Sequence, residues 1–406
     1  MISLEEARAR VLAIVKRTGE ETVPLKTAHG RICSRKIIAP GDLPSFDTSD
    51  TDGYAVITSD VLNATNDEPA VLQLVGIAKP GEHYEKELNS GECVQVFAGS
   101  RIPIGADAVV PLGFGEHSQT QENIIRINYP SRPWQNIRKR GEDLMYGTMV
   151  ANVGDKLTTG QIAALSALGV KDVSVARQLR IHIISIGSEL RKPDENIKPG
   201  QIYESNSLLI GNMVKKFAAQ DIQTELIEDN EEEIYSKINM AFESSDVVIT
   251  TGRASEGKLD ILKNALAKIP SLKFEYMRVM MKPGRPFIFG MFNSSKYLFG
   301  LPGNPVSAAV SYSLLIRPAL MKIIGASNIE LPSEEGELIE EIRNPGKRRY
   351  FARVKIDEHK RIKLAGLQTS YGLGSLFNAN GIVDVPPHTV LQKGAIVKVL
   401  KWEVAE

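Results

Sequence analysis

The sequence predicts a multidomain protein of α/β and β class: a β-rich N-terminal half, a parallel α/β domain and a small C-terminal β domain. Three observations carry this. Between about residues 180 and 325 short apolar runs alternate with helical periods. From about 20 to 175 the chain reads as short β-prone runs punctuated by Gly and Pro, and that texture returns after 326. With 406 residues there is chain enough for several separate cores. The predicted units are 1–19, a helix packing with the α/β domain; 20–42 with 141–175, a linking β layer; 43–140, β-rich; 176–326, α/β; and 327–406, β.

The elements follow in order. Ser3 and Glu6 have capping-box spacing, and Leu4, Ala7, Val11, Leu12 and Val15 recur at helical intervals, so the chain opens on an amphipathic helix. Within the β texture, "TTGQIAALSALGV" predicts a helix capped by Thr159 and ended near Gly169. Then "RIHIISIG", "IQTELI" and "DVVIT" read as strands, separated by the helical stretches "NSLLIGNMVKKFAAQ", "NEEEIYSKINMAFES" and "KLDILKNALAKI". "NPVSAAVSYSLLIRPALMKIIG" closes the domain as a helix, with Asn304 as cap and Pro305 in its first turn.

Charge and composition narrow the function. Lys plus Arg and Asp plus Glu both total 49, so no global field favours nucleic acid or an anionic membrane, and any anion site is local. Cys33 and Cys93 make no disulfide framework, and the histidines show no metal-ligand spacing; His182, inside an apolar strand, reads as structural. No signal peptide and no membrane-spanning run is read from the sequence, so the expectation is a soluble cytoplasmic protein.

In an open parallel sheet, ligands bind beyond the carboxyl ends of the strands. Three strands there deliver polar loops: Ser188 and Glu189 from "ISIGSEL", Asp229 from "ELIEDN", and Thr251, Gly252, Ser255 and Asp260 from "VITTGRASEGKLD". Carboxylates on three neighbouring loops suggest Mg²⁺ holding a phosphorylated ligand, although acidic loop residues also serve as helix caps and solvated surface. "RVMMKPGRPFIFG" sets Arg278, Lys282 and Arg285 about a Pro-Gly turn, a cationic complement to such a ligand. "GLPGNPVS" brings Pro302, Gly303, Asn304 and Pro305 to a helix start, where backbone N–H groups can meet an anion. In the β-rich half, Asp52 lies in "PSFDTSDTDGYAV", Ser100 in the Gly-Ser turn of "FAGSRIPIG", and Arg138 in the basic "NIRKRGED".

Seven of these stretches, "PGDLPSFDTSDTDGYAV", "NIRKRGED", "IGSEL", "GQIYESN", "VITTG", "MKPGRPFIFG" and "GLPGNPVSA", resemble in order and spacing the molybdopterin molybdenumtransferase family, the MoeA and gephyrin E-domain lineage. The resemblance implies a homodimer that inserts molybdate into adenylylated molybdopterin and releases AMP with Mg²⁺ present. It implies functional carboxylates at Asp52, Glu189, Asp229 and Asp260, the last three as metal ligands. It implies cationic contacts at Arg278 and Lys282, and a turn shaped by Pro302 and Pro305. Asp52 then acts across the dimer. Other cofactor-biosynthesis enzymes and apo-molybdoenzymes are the further partners implied. A non-catalytic relative that binds molybdopterin or scaffolds a partner is the alternative.

The chain departs from the family pattern at Thr51, Ala98, Arg253 and Arg285. Arg253 stands where the pattern has a second glycine, a position suited to φ > 0 or to close backbone approach. Two readings stay open: its guanidinium clamps the phosphate or molybdate, or its side chain fills the pocket.

Overall fold

Ser3 accepts the Glu6 N–H at 3.0 Å, and the helix Leu4–Ile14 follows. Leu4, Ala7 and Val11 bury one face of it, and with Val15 they join the largest core, which belongs to the α/β domain more than 160 residues away in sequence. The structure is a computed structural model that describes residues 1–118, 121, 123–215, 219–253 and 261–402.

The α/β domain is built on a six-stranded sheet ordered Ala219–Ile227, Leu179–Ile186, Val247–Thr251, Lys296–Leu301, Pro286–Phe292, Leu272–Arg278. Neighbours among the first four are parallel, as the alternating pattern predicts. The last two join antiparallel, so the sheet is mixed rather than purely parallel. The reason is connection length: residues 293–295 and the Pro-Gly turn are too short for a crossover, and parallel neighbours need a dozen or more residues. Helices Asn206–Lys215, Glu231–Ser244 and Ile261–Ala267 pack on the sheet, and Asn230 caps the second by accepting the Glu233 N–H at 3.0 Å.

The closing helical segment Pro305–Ile323 is long and apolar enough to cross a membrane by length and composition, which the sequence reading did not identify, but it is 94% buried in the protein core. Its middle, Tyr312–Ile316, takes π geometry immediately before Pro318. Proline lacks an N–H and its ring crowds the preceding turn, so a widened turn relieves the clash. Asn304 occupies the N-cap position without capping; its side-chain amide donates instead to the Ser370 hydroxyl at 3.0 Å.

In the N-terminal half, six strands from Gly53–Val56 to Ile124–Ile127 make one sheet, while Glu20–Pro24 pairs with Asp172–Ala176 and Ile37–Ile38 with Met149–Ala151. The helix Thr159–Ala167 is capped by Thr158, one residue earlier than predicted, because Thr158 and Gln161 complete a reciprocal capping box. In the C-terminal sheet Arg349–Ile356 pairs with both Arg361–Leu364 and Gly381–Val385, so the sheet closes on itself. One further strand enters it from outside: Met281–Lys282, from the α/β domain, pairs parallel with Arg349 and Tyr350. That pairing brings the two domains together at the ligand edge.

Candidate functional site

A cleft of about 730 Å³ opens at the carboxyl edge of the α/β sheet. The sheet order makes it. Strands ending at Ile186, Ile227 and Thr251 are neighbours, and Leu301 ends the next, so their loops converge. Glu189, Thr251, Gly252, Arg253, Lys282, Arg285, Pro302, Gly303 and Asn304 line the cleft. Asp229 joins from just behind, through Arg253.

Two glycines let the loops meet. A Cβ on Gly252 would fall 2.3 Å from the Ile186 carbonyl oxygen, and the residue sits at φ 92°, so only glycine fits. Gly303 lies against it, its own Cβ position 3.4 Å from the Gly252 Cα. Beneath them Thr251 is buried and shares a 3.1 Å hydrogen bond with Ser185. Ser185 donates to Glu204 at 2.9 Å, and Glu204 also accepts from the Ser207 N–H, tying the floor to the start of the helix Asn206–Lys215.

Arg253 follows Gly252 at φ 50°, also left-handed. Its guanidinium neither fills the cleft nor stands ready as an unpaired anion clamp. Nε and Nη2 donate to the two oxygens of Asp229, and Nη2 also reaches Glu189 Oε2 at 3.1 Å. These hydrogen bonds, chiefly the one to Asp229, raise the guanidinium's pKa above its ordinary value, while burial opposes them. Asp229 additionally accepts the Ser188 N–H at 3.1 Å, and its own N–H donates to the Ser188 hydroxyl at 3.0 Å. The arginine therefore joins two of the three loops that the sequence assigns to a metal.

That placement does not suit a divalent ion. A carboxylate offers about four lone-pair sites, and Asp229 already receives three N–H donors. Among the described residues no three acidic, His or Cys side chains gather as a ligand set. Ser255 and Asp260 lie outside the described residues.

The opposite wall comes partly from the C-terminal domain. Arg348, Gln368, Thr369, Ser370 and Tyr371 line the cleft with Lys282 and Arg285. A buried arginine holds this loop: Arg353 donates from Nη2 to the carbonyls of Leu367 and Thr369 at 3.1 and 3.0 Å. Burial lowers its pKa. A second cavity of about 520 Å³ shares Lys282, Arg285 and Arg348 and adds Arg343 and Lys347. The sequence reading missed this wall, whose only local signal is the Gly- and Ser-rich "GLQTSYGLGS".

Several predicted residues stand elsewhere. Arg278 ends the outermost strand, exposed on the same sheet edge but not lining the cleft. Pro305 opens the helix behind the lining residues, and Ser188 spends its hydroxyl on Asp229. Asp52 is exposed in the N-terminal half, where Oδ1 accepts the Ala98 N–H at 2.8 Å, and it does not line the cleft of its own chain. Arg138 is ion-paired with Asp50. Ser100 is fully buried, donating to the Ala78 carbonyl at 2.9 Å and accepting the Phe97 N–H, so its hydroxyl serves the turn rather than a ligand.

Fold and cleft together define a class: an α/β domain with a cationic cleft at its carboxyl edge, set between β domains. The chain belongs to the molybdopterin molybdenumtransferase (MoeA) family. Residues 2–169 match the MoeA N-terminal region (domain I and II), 182–322 a probable molybdopterin binding domain, and 335–402 the MoeA C-terminal region (domain IV). It is 34% identical over 333 residues to the molybdopterin molybdenumtransferase of Haemophilus influenzae, covering 82% of this chain and 80% of that protein. It is 30% identical over 414 residues to molybdopterin molybdenumtransferase 2 of Mycobacterium tuberculosis, covering 100% of both. Gephyrin of Dictyostelium discoideum is 30% identical over 94% of this chain, which spans 59% of that longer protein. The crystal structure of the molybdopterin biosynthesis moeA protein from Pyrococcus horikoshii OT3 superposes with a TM-score of 0.83 at 28% identity, over 99% of this chain and 100% of that one.

Proposed function

We propose that the chain acts in molybdenum cofactor biosynthesis, inserting molybdate into adenylylated molybdopterin with release of AMP. One observation carries the reading. Among the described charged side chains lining the cleft, Glu189 is the one acid, against Arg253, Lys282, Arg285 and Arg348, in a protein of zero net charge. A local cationic cleft suits a pyrophosphate-bearing pterin and the dianion molybdate, and fixed positive charge stabilises the negative charge that grows as a phosphate linkage breaks. Lys282, Arg285 and Arg348 supply that charge, and Gly303 with Asn304 adds the positive end of the helix that follows.

Replacing Lys282 and Arg348 together by Ala removes two cations that no carboxylate pairs among the described residues. AMP binding by calorimetry should weaken roughly tenfold or more per side chain, the worth of a charge-assisted hydrogen bond. Unchanged affinity would move the ligand to another face. Single-turnover AMP release in the presence of molybdate separates this reading from binding without catalysis.

The homodimer and the cytoplasmic setting belong to the same proposal. Asp52 lies outside the cleft of its own chain, so its part in the reaction requires a second copy. Sedimentation at micromolar concentration should give a dimer, and a monomer would leave Asp52 without a role. Both cysteines are buried thiols, and burial alone pushes Cys93 up to about 12, so neither asks for an oxidising compartment. Magnesium enters the proposal on the ligand's phosphates rather than on Glu189 and Asp229.

A further inference from the structure

We infer that Arg253 takes the place of a divalent cation in this cleft, its guanidinium being the positive charge that joins the Glu189 and Asp229 loops. The inference rests on the reading above only for the identity of the ligand; whether these carboxylates hold a metal is a property of the protein alone.

Two successive left-handed residues, Gly252 and Arg253, follow the end of the strand Val247–Thr251. For arginine that conformation is strained, and a glycine would avoid the strain. The turn is nevertheless fixed there, by the Gly252 N–H on the Leu301 carbonyl at 3.2 Å and by the contact of Gly252 with Ile186. The strained residue is thus aimed at two acids that belong to other loops. It binds Asp229 through both carboxylate oxygens and meets Glu189 at 3.1 Å. A metal would have to break this fork–fork pairing before it could bind, since three of the lone-pair directions of Asp229 are taken. The difference is functional: a tethered cation cannot be chelated away and does not exchange between turnovers. It also holds the acidic loops in place before the ligand arrives.

The test is a titration of the full chain, without pterin, with Mn²⁺ as the probe, followed by electron paramagnetic resonance. The wild type should take up no Mn²⁺ that depends on Glu189 or Asp229. Arg253→Gly, or Arg253→Gln if the glycine variant folds poorly, should gain one Mn²⁺ site at least roughly tenfold tighter than any in the wild type, the equivalent of removing one competing charge-assisted bond. Adding Glu189→Gln and Asp229→Asn should abolish the gain. Two results overturn the inference: a wild-type Mn²⁺ site lost in Asp229→Asn, or no gain in either Arg253 variant. Neither depends on turnover, so failure of the proposed reaction would show separately, as absent AMP release.

Discussion

The strand Val247–Thr251 has an arginine–aspartate pair beyond each end, and the two do different work. At its start, Asp246 takes a two-pronged grip from Arg177 at 2.9 and 3.0 Å and also accepts the Arg180 N–H at 2.8 Å. At its finish, Arg253 grips Asp229 in the same two-pronged way. The first arginine lies on the run from the linking layer into the sheet, in ordinary backbone, and its aspartate is 15% exposed. The second stands on a left-handed turn in the wall of a cleft, and it is nearly as covered as the first: the arginines are 35% and 41% exposed and the aspartates 15% each. Identical chemistry at the amino edge fastens a domain boundary, and at the carboxyl edge it sets the charge of a cleft wall. Position on the sheet, more than the pair itself, decides the role.

Stability measurements separate the two pairs. Asp246→Asn leaves Arg177 half-satisfied in a partly buried setting and should cost about 1–3 kcal/mol, below the figure for a fully buried pair because Arg177 is 35% exposed. A fall in the urea midpoint would show it. The same residue has a pH signature. Burial pushes its carboxyl up, but the Arg177 bonds and the Arg180 N–H outweigh this and set the pKa below the ordinary 3.8. A lowered folded-state pKa contributes stability that is present above the unfolded value and lost as pH falls through the folded one. The wild type should therefore lose stability below about pH 4 more steeply than Asp246→Asn.

Arg253→Gly should move the urea midpoint least. Its pair is about as exposed as the first, but the substitution removes the cation, leaves Asp229 its Ser188 N–H and relieves a left-handed arginine. A screened loss of about 0.2–1 kcal/mol is thus largely offset, against the added freedom of glycine in the unfolded chain. The net should lie within about 0.5 kcal/mol. A loss as large as that of Asp246→Asn would make both pairs structural and erase the distinction.

Much of this was legible in the sequence because its signals are local. The strand around Val248 opens on an unbroken apolar run and the one around Ile183 is mostly apolar, and the Ser3 cap and the apolar spacing of the first helix read directly. The polar ends of neighbouring strands mark one edge of the sheet, and Glu189, Gly252, Lys282 and Gly303 line the cleft there. What could not be read depends on distant contacts. The partners of Arg253 are fixed by which strands are neighbours, so a clamp or a plug was all that the local turn offered. Arg348 and Ser370 reach the cleft through contacts between distant stretches, the pairing of Lys282 with Tyr350 and the hydrogen bond from Asn304 to Ser370, which no periodicity announces. Ser100 misled for the opposite reason: a Gly-Ser turn has the same letters whether its hydroxyl faces in or out.

The two-residue strand Met281–Lys282 has a consequence for synthesis. A ribosome completes the α/β sheet with Leu301, but the wall opposite it is not made until Tyr371 emerges, and it is not anchored until Gly381–Val385 pairs with Arg349–Ile356. Domains fold as units in the order they appear, so the nascent chain carries half a cleft while about a quarter of its length, residues 302–406, is still to be translated. Capacity to hold the ligand is among the last properties the growing chain acquires, and premature termination yields a sheet whose ligand edge is open on one side.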